Sequence, residues 1–147
     1  MINIQKITDL HSLPDNKSII KWAKIALDNK NKEAEIVIRI VEEDEGLELN
    51  KKWCKKNYPT NVLSFPISDP MNNMSNFLGD IVICANVVFA EAQEQKKNIN
   101  EHFAHMVIHG ILHLQGYSHA SDDEAEAMEK KEISMLESLG YGNPYEI

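Results

Sequence analysis

The 147-residue sequence predicts an α+β fold: a small mixed sheet of about four strands packed with about five helices. Three observations predict it. Apolar segments with strand alternation come early and are mixed with helices, only helices follow residue 84, and no repeat or linker divides the chain. Residues 2–8 alternate weakly and open as a strand. Residues 16–27 follow as an amphipathic helix around Ile19, Ile20, Trp22, Ile25 and Leu27. Residues 35–41 are β-branched and alternating, hence a strand, and 44–57 regain helical spacing at Leu47, Leu49, Trp53 and Cys54 until Tyr58-Pro59-Thr60-Asn61 ends them. A short strand at 62–65 is expected to halt at Pro66, 68–76 reads as a polar loop, and Gly79-Asp80 open the apolar strand 81–84. Helices then cover 86–97, a stretch capped by Asn100 that contains His109 and His113, and 121–139, where Asp122, Asp123 and Glu124 suit the positive end of the dipole. Gly140 stops the last of these.

A chain of this length is most simply one domain, 1–147, and needs no disulfide staple. Cys54 and Cys84 have no CxxC spacing and read as reduced thiols, and no apolar run reaches the ~20 residues that span a membrane. The expected location is the cytoplasm, with no membrane partner. A net charge of −8 argues against nucleic acid, DNA above all, yet charge is unevenly placed: five acids lie in 42–48 and seven in 122–137, whereas Lys51, Lys52, Lys55 and Lys56 form one basic group. That group reads either as a solvated helix face or as an RNA-binding patch.

The chemistry is concentrated in His109-Gly110-Ile111-Leu112-His113-Leu114-Gln115-Gly116-Tyr117-Ser118-His119. At about 100° per residue His109 and His113 fall roughly 40° apart on one helical face, so both imidazoles can reach one ion. His119 would lie about 280° around a continued helix and roughly 15 Å along it, so the helix has to end, and Gly116 allows the left-handed turn that ends it. Three imidazoles predict one zinc per chain and leave a coordination position for water, whose pKa the ion can lower to about 7. Gly110 stands where zinc peptidases carry a glutamate base, which makes peptide hydrolysis a lesser alternative. His102 and His105 share the face of His109 and His113, either as a relay or second metal site or as supporting residues; Met106, Met128 and Met135 read as core.

The histidine motif, with Pro59-Thr60-Asn61-Val62-Leu63-Ser64-Phe65-Pro66 and Leu78-Gly79-Asp80-Ile81-Val82-Ile83-Cys84, resembles the YbeY family of bacterial endoribonucleases and rRNA maturation factors. Glu91-Ala92-Gln93-Glu94-Gln95, His102 to Val107 and Leu139-Gly140-Tyr141 extend the likeness over most of the chain. The resemblance implies a zinc-dependent enzyme acting on single-stranded RNA, the 16S rRNA precursor, in 3′-end maturation and ribosome quality control. It implies the ribosome or small-subunit proteins as partners, and His109, His113 and His119 as the metal ligands.

Two residues depart from the family pattern. Cys54 stands where relatives carry arginine, and Ser118 where they carry aspartate. An arginine would grip phosphate bidentately and a thiol cannot, so a binding factor that keeps its zinc but has lost catalysis is the main alternative to a nuclease. Cys54→Arg is expected to raise RNA cleavage severalfold in a single-turnover assay; an unchanged rate would remove the missing arginine as the limit. Asp80 is the candidate catalytic carboxylate, orienting a ligand histidine or accepting a proton, or else a turn residue.

Overall fold

The computed structural model describes residues 1–8, 13–54, 60–67 and 76–146, with the backbone alone at Cys54. In chain order these form β1 (Ile2–Lys6), α1 (Asn16–Ala26), a 3₁₀ turn (Asn29–Asn31), β2 (Glu35–Val41), α2 (Glu43–Cys54), β3 (Val62–Pro66), β4 (Phe77–Cys84), α3 (Ala85–Glu94), α4 (Ile99–Leu114) and α5 (Asp122–Ser138). The α+β class is as expected: the sheet order is β1-β2-β4-β3, with β1, β2 and β4 parallel and β3 antiparallel on the edge. Most of the predicted 68–76 loop lies outside the described residues.

Alternation along β2 and β4 gives the sheet two unlike faces. Ile36, Ile38, Ile40, Ile81 and Ile83 point to one side and are buried with Ile19, Trp22 and Ala23 of α1 and Phe103, Val107, Ile108 and Ile111 of α4 in a single core. Val37, Arg39 and Asp80 point to the other side and are only half-buried. Helix α4 runs through the middle, touching α1, α3, α5, β3 and β4. A helix apolar on nearly every side requires such a place.

Where the boundaries differ from expectation, backbone hydrogen bonding gives the reason. β3 continues through Pro66. Cys84 N–H donates to the Asn61 carbonyl and Ile67 N–H to that of Leu78, so the intervening alternation turns the backbone groups of residues 62, 64 and 66 outward, where a proline lacks nothing. β4 begins at Phe77 rather than after Gly79-Asp80 because Phe77 and Gly79 already pair with β2 across a bulge. Asn98, not Asn100, caps α4: its side chain accepts from Asn100 N–H at 2.8 Å. α3 ends at Glu94, three residues early, in a turn that places Lys96 at φ 56°.

Gln115, at the end of α4, was not singled out by sequence. Its amide donates to the Ala26 carbonyl at 2.7 Å and accepts from Asp28 N–H at 2.7 Å and the Asn31 amide at 3.0 Å, tying the end of α1 to the end of α4.

Candidate metal centre

The turn after α4 builds the site. Tyr117 N–H donates to the Leu112 carbonyl at 3.1 Å and Gly116 N–H to that of His113 at 3.0 Å, the paired bonds of a left-handed helix stop, with Gly116 at φ 99°. The Tyr117 carbonyl is thereby brought back over the last turn, where it accepts from His113 Nδ1 at 2.9 Å. Ser118 Oγ accepts Ala120 N–H at 3.0 Å, a serine turn that returns the chain at His119.

These turns bring the three predicted ligands together. His109 Nε2 and His113 Nε2 lie 3.1 Å apart, His113 Nε2 and His119 Nε2 3.1 Å, and His119 Nε2 and His109 Nε2 3.3 Å. A tetrahedral ion with Zn–N of about 2.0–2.1 Å separates its nitrogens by about 3.3–3.4 Å, so the triangle fits zinc with only slight expansion. Burial, and the neighbouring His109 and His119, lower the pKa of His113 and favour the neutral form that ligates. The cleft, of about 420 Å³, is completed by residues 60–64 and Pro66. The outward edge of β3 therefore forms its second wall.

Each ring is held from behind. His109 Nδ1 donates to Glu132 Oε1 at 2.5 Å, which leaves Nε2 free to ligate. Glu132, on α5, is wholly buried, and its other oxygen accepts from His105 Nε2 at 3.1 Å and from the Tyr145 hydroxyl. Burial alone would raise its pKa, but the hydrogen bonds from His105 and His109 outweigh that and lower it to about 2. Burial and the Glu132 carboxylate push the Tyr145 phenol up, so it stays a donor. Further along α4, His102 Nε2 donates to Glu91 Oε1 at 2.9 Å, and Glu91 also accepts from the Asn61 amide at 3.1 Å, which fixes one end of the cleft. His102 Nδ1 and His105 Nδ1 are buried without a partner among the described residues. Both histidines are supporting residues; His105 and Glu132 could form a metal-binding group only through His109 Nδ1, which is already engaged with the carboxylate.

Asp80 is not brought to the histidines. It lies on β4 between Ile81 and Gly79, facing the other side of the sheet from α4, in a cavity with Arg39, Trp53 and Phe65, and burial raises its pKa. Lys51 and Lys52 are exposed on α2, Lys55 and Lys56 lie outside the described residues, and so does the Cys54 side chain. Gly110 faces the sheet: a Cβ there would lie 3.1 Å from Ile81 Cγ2 and 3.3 Å from Val62 Cγ2. Ser64 Oγ donates to the Gly110 carbonyl at 3.2 Å, closing the same contact.

Residues 3–140 match the family described as Endoribonuclease YbeY. The chain belongs to the YbeY family. It is 50% identical over 135 residues to the Endoribonuclease YbeY of Pseudomonas savastanoi pv. phaseolicola, covering 91% of this chain and 81% of that protein. It is 51% identical over 133 residues to the Endoribonuclease YbeY of Pseudomonas syringae pv. tomato, covering 90% and 80%. Among solved structures it resembles the solution structure of TM1509 from Thermotoga maritima, with a TM-score of 0.58, 25% identity and 100% of both chains covered.

Tyr145 stands beyond the segment matched to the YbeY family, yet it donates to the carboxylate behind His109. Sequence reasoning missed Glu132, Glu91 and Tyr145. For Glu132 a signal was present: it sits four residues after Met128 and four before Leu136, an acid on the buried stripe of α5.

Proposed function

We propose that this chain is a single-strand-specific endoribonuclease that holds one zinc ion on His109, His113 and His119. It acts on the 16S rRNA precursor in 3′-end maturation and ribosome quality control, in the cytoplasm and beside small-subunit proteins. The observation that carries the metal dependence is the convergence of three Nε2 atoms within 3.3 Å of one another in a cleft open on one side. The substrate class follows from the relatives, which are named as endoribonucleases. When bound, zinc supplies a Lewis-acidic centre that lowers the pKa of water and offsets charge developing on phosphate.

The chain's own groups do the rest. The Tyr117 carbonyl and Glu132 orient His113 and His109, and the outward N–H groups of Val62 and Ser64 offer donors for phosphate oxygens along the wall of the cleft. Lys51 and Lys52, with Lys55 and Lys56, supply positive charge for the RNA backbone on a chain that is otherwise acidic. No helix among the described residues is long and apolar enough to cross a membrane.

Purified protein should cut single-stranded RNA, lose that activity to a chelator and regain it with zinc, while His113→Ala neither cuts nor retains stoichiometric metal. Equal cleavage by the variant would assign the activity to a contaminant and overturn the reading. Cys54 in place of the family's arginine favours a second reading, a zinc-bearing ribosome factor with faded catalysis. Stoichiometric zinc, ribosome association and no cleavage would support it. A peptidase is disfavoured because position 110, where zinc peptidases carry the glutamate base, is a glycine packed tightly against Ile81 and Val62.

A further inference from the structure

On the face of the sheet away from α4, a cavity of about 760 Å³ opens between α2 and the strands, within the size range of small-molecule sites. Its walls include Val37, Val82 and Phe65, and its rim carries Trp53, which is 61% exposed and meets Phe65 edge-to-face with ring centroids 6.5 Å apart. Lys52 Nζ lies 5.3 Å from the Trp53 ring centroid. Asp80 stands on its floor, half-buried and without a hydrogen bond or ion pair among the described residues, in a lining that also carries Gln5, Glu45 and Glu48. Arg39, which lines the same cavity, is paired elsewhere: its guanidinium donates to both Glu45 oxygens, at 2.6 and 2.9 Å, and to Gln5 at 3.2 Å.

A half-buried carboxylate that finds no donor among the described residues can accept from a ligand that supplies one. The position narrows the ligand. Phe65 on β3 lines this cavity while its neighbours Ser64 and Pro66 line the histidine cleft, so one edge strand separates the two and a single extended strand of RNA can touch both. An exposed tryptophan beside lysines is the arrangement on which unpaired bases stack.

We propose that this cavity is a nucleobase subsite that selects guanine, with Trp53 as the stacking surface and Asp80 as the specificity-determining acceptor; the proposal rests on the RNA reading above. The carboxylate has two acceptor oxygens and no donor. Guanine presents N1–H and the N2 amino group side by side, matching both oxygens. Adenine and cytosine set a ring acceptor beside their single amino group, and uracil flanks its one N–H with carbonyls, so each turns a lone pair toward the carboxylate. An arginine side chain from a protein partner offers a similar fork; the shared edge strand with the histidine cleft is what favours RNA, and the peptide arm of the test separates the two.

The test uses full-length His113→Ala, or wild-type protein in chelator should that variant fold poorly, so that binding is read without cleavage. Tryptophan emission is followed as hexauridylate, hexauridylate with a single guanine, or an arginine-containing hexapeptide is added. Trp22 is 3% exposed, so quenching by contact reports on Trp53. The guanine-bearing RNA should bind about tenfold or more tighter than hexauridylate, Trp53→Ala should abolish the quenching, and Asp80→Asn should erase the preference. Equal affinity for both RNAs, or quenching by the peptide alone, would overturn the subsite. So would Asp80→Asn that keeps guanine preference while losing turnover, which would instead return Asp80 to proton transfer. Guanine-selective quenching by a wild-type protein that never cleaves RNA would support the subsite and defeat the nuclease reading; cleavage without base preference would do the reverse.

Discussion

Glu132→Gln is expected to weaken zinc binding by about 10- to 100-fold and to remove about 3 kcal/mol of stability. Glu132 accepts from three donors at once, His109 Nδ1, His105 Nε2 and the Tyr145 hydroxyl, inside a core where no water replaces it. An amide of the same shape keeps one acceptor and presents an NH₂ group to donors, so at least one buried donor loses its partner and His109 loses what fixes its ring. Competition titration with a zinc chelator would measure the first effect, and the visible spectrum of the cobalt-substituted protein would register the altered His109 geometry. Unchanged metal affinity would mean that the carboxylate only fills space.

The same residue sets a pH dependence. Its pKa falls from an ordinary 4.5 to about 2 on folding, so its contribution is fully present above pH 4.5 and is lost as pH drops through that interval. At roughly 1.4 kcal/mol per unit that displacement is worth about 3 kcal/mol. Urea denaturation of metal-free protein should therefore show a fall in stability between pH 4.5 and 2 that is shallower in Glu132→Gln. Parallel curves for the two proteins would reject the linkage.

Gly110→Glu is expected to prevent folding or to cost about 4 kcal/mol or more. The position lies where α4 meets β3 and β4, and even a Cβ would have to push aside Ile81 and Val62. A glutamate adds a charged group to that contact with no partner in sight. Denaturation midpoints and soluble yield would measure the loss. A stable variant that hydrolysed peptides would show instead that the glycine is all that separates this fold from peptidase chemistry.

How legible the molecule was depended on how local each feature is. Strands and helices were readable because alternation and 3.6-residue periodicity are properties of neighbouring residues, and the three-histidine cluster was readable because a single helix and its stop place it. Even the errors at Pro66 and Asn98 are matters of hydrogen-bond register, which sequence spacing does not carry. The supporting shell was hidden because its members come from separate elements: Glu91 from α3, Glu132 from α5, Tyr145 from the tail. An acid in a run of acids looks solvated until packing buries it.

The sequence by itself determined the fold class, the three-histidine frame and the family, since these are written in short-range spacing and in motifs. Only the tertiary structure decided what stands behind and beside that frame. It placed a buried carboxylate against His109, turned Gly110 into the sheet and set Asp80 on the opposite face beside Trp53. The physical reason is that strand alternation and helix packing, not distance along the chain, choose which side chains share a cavity.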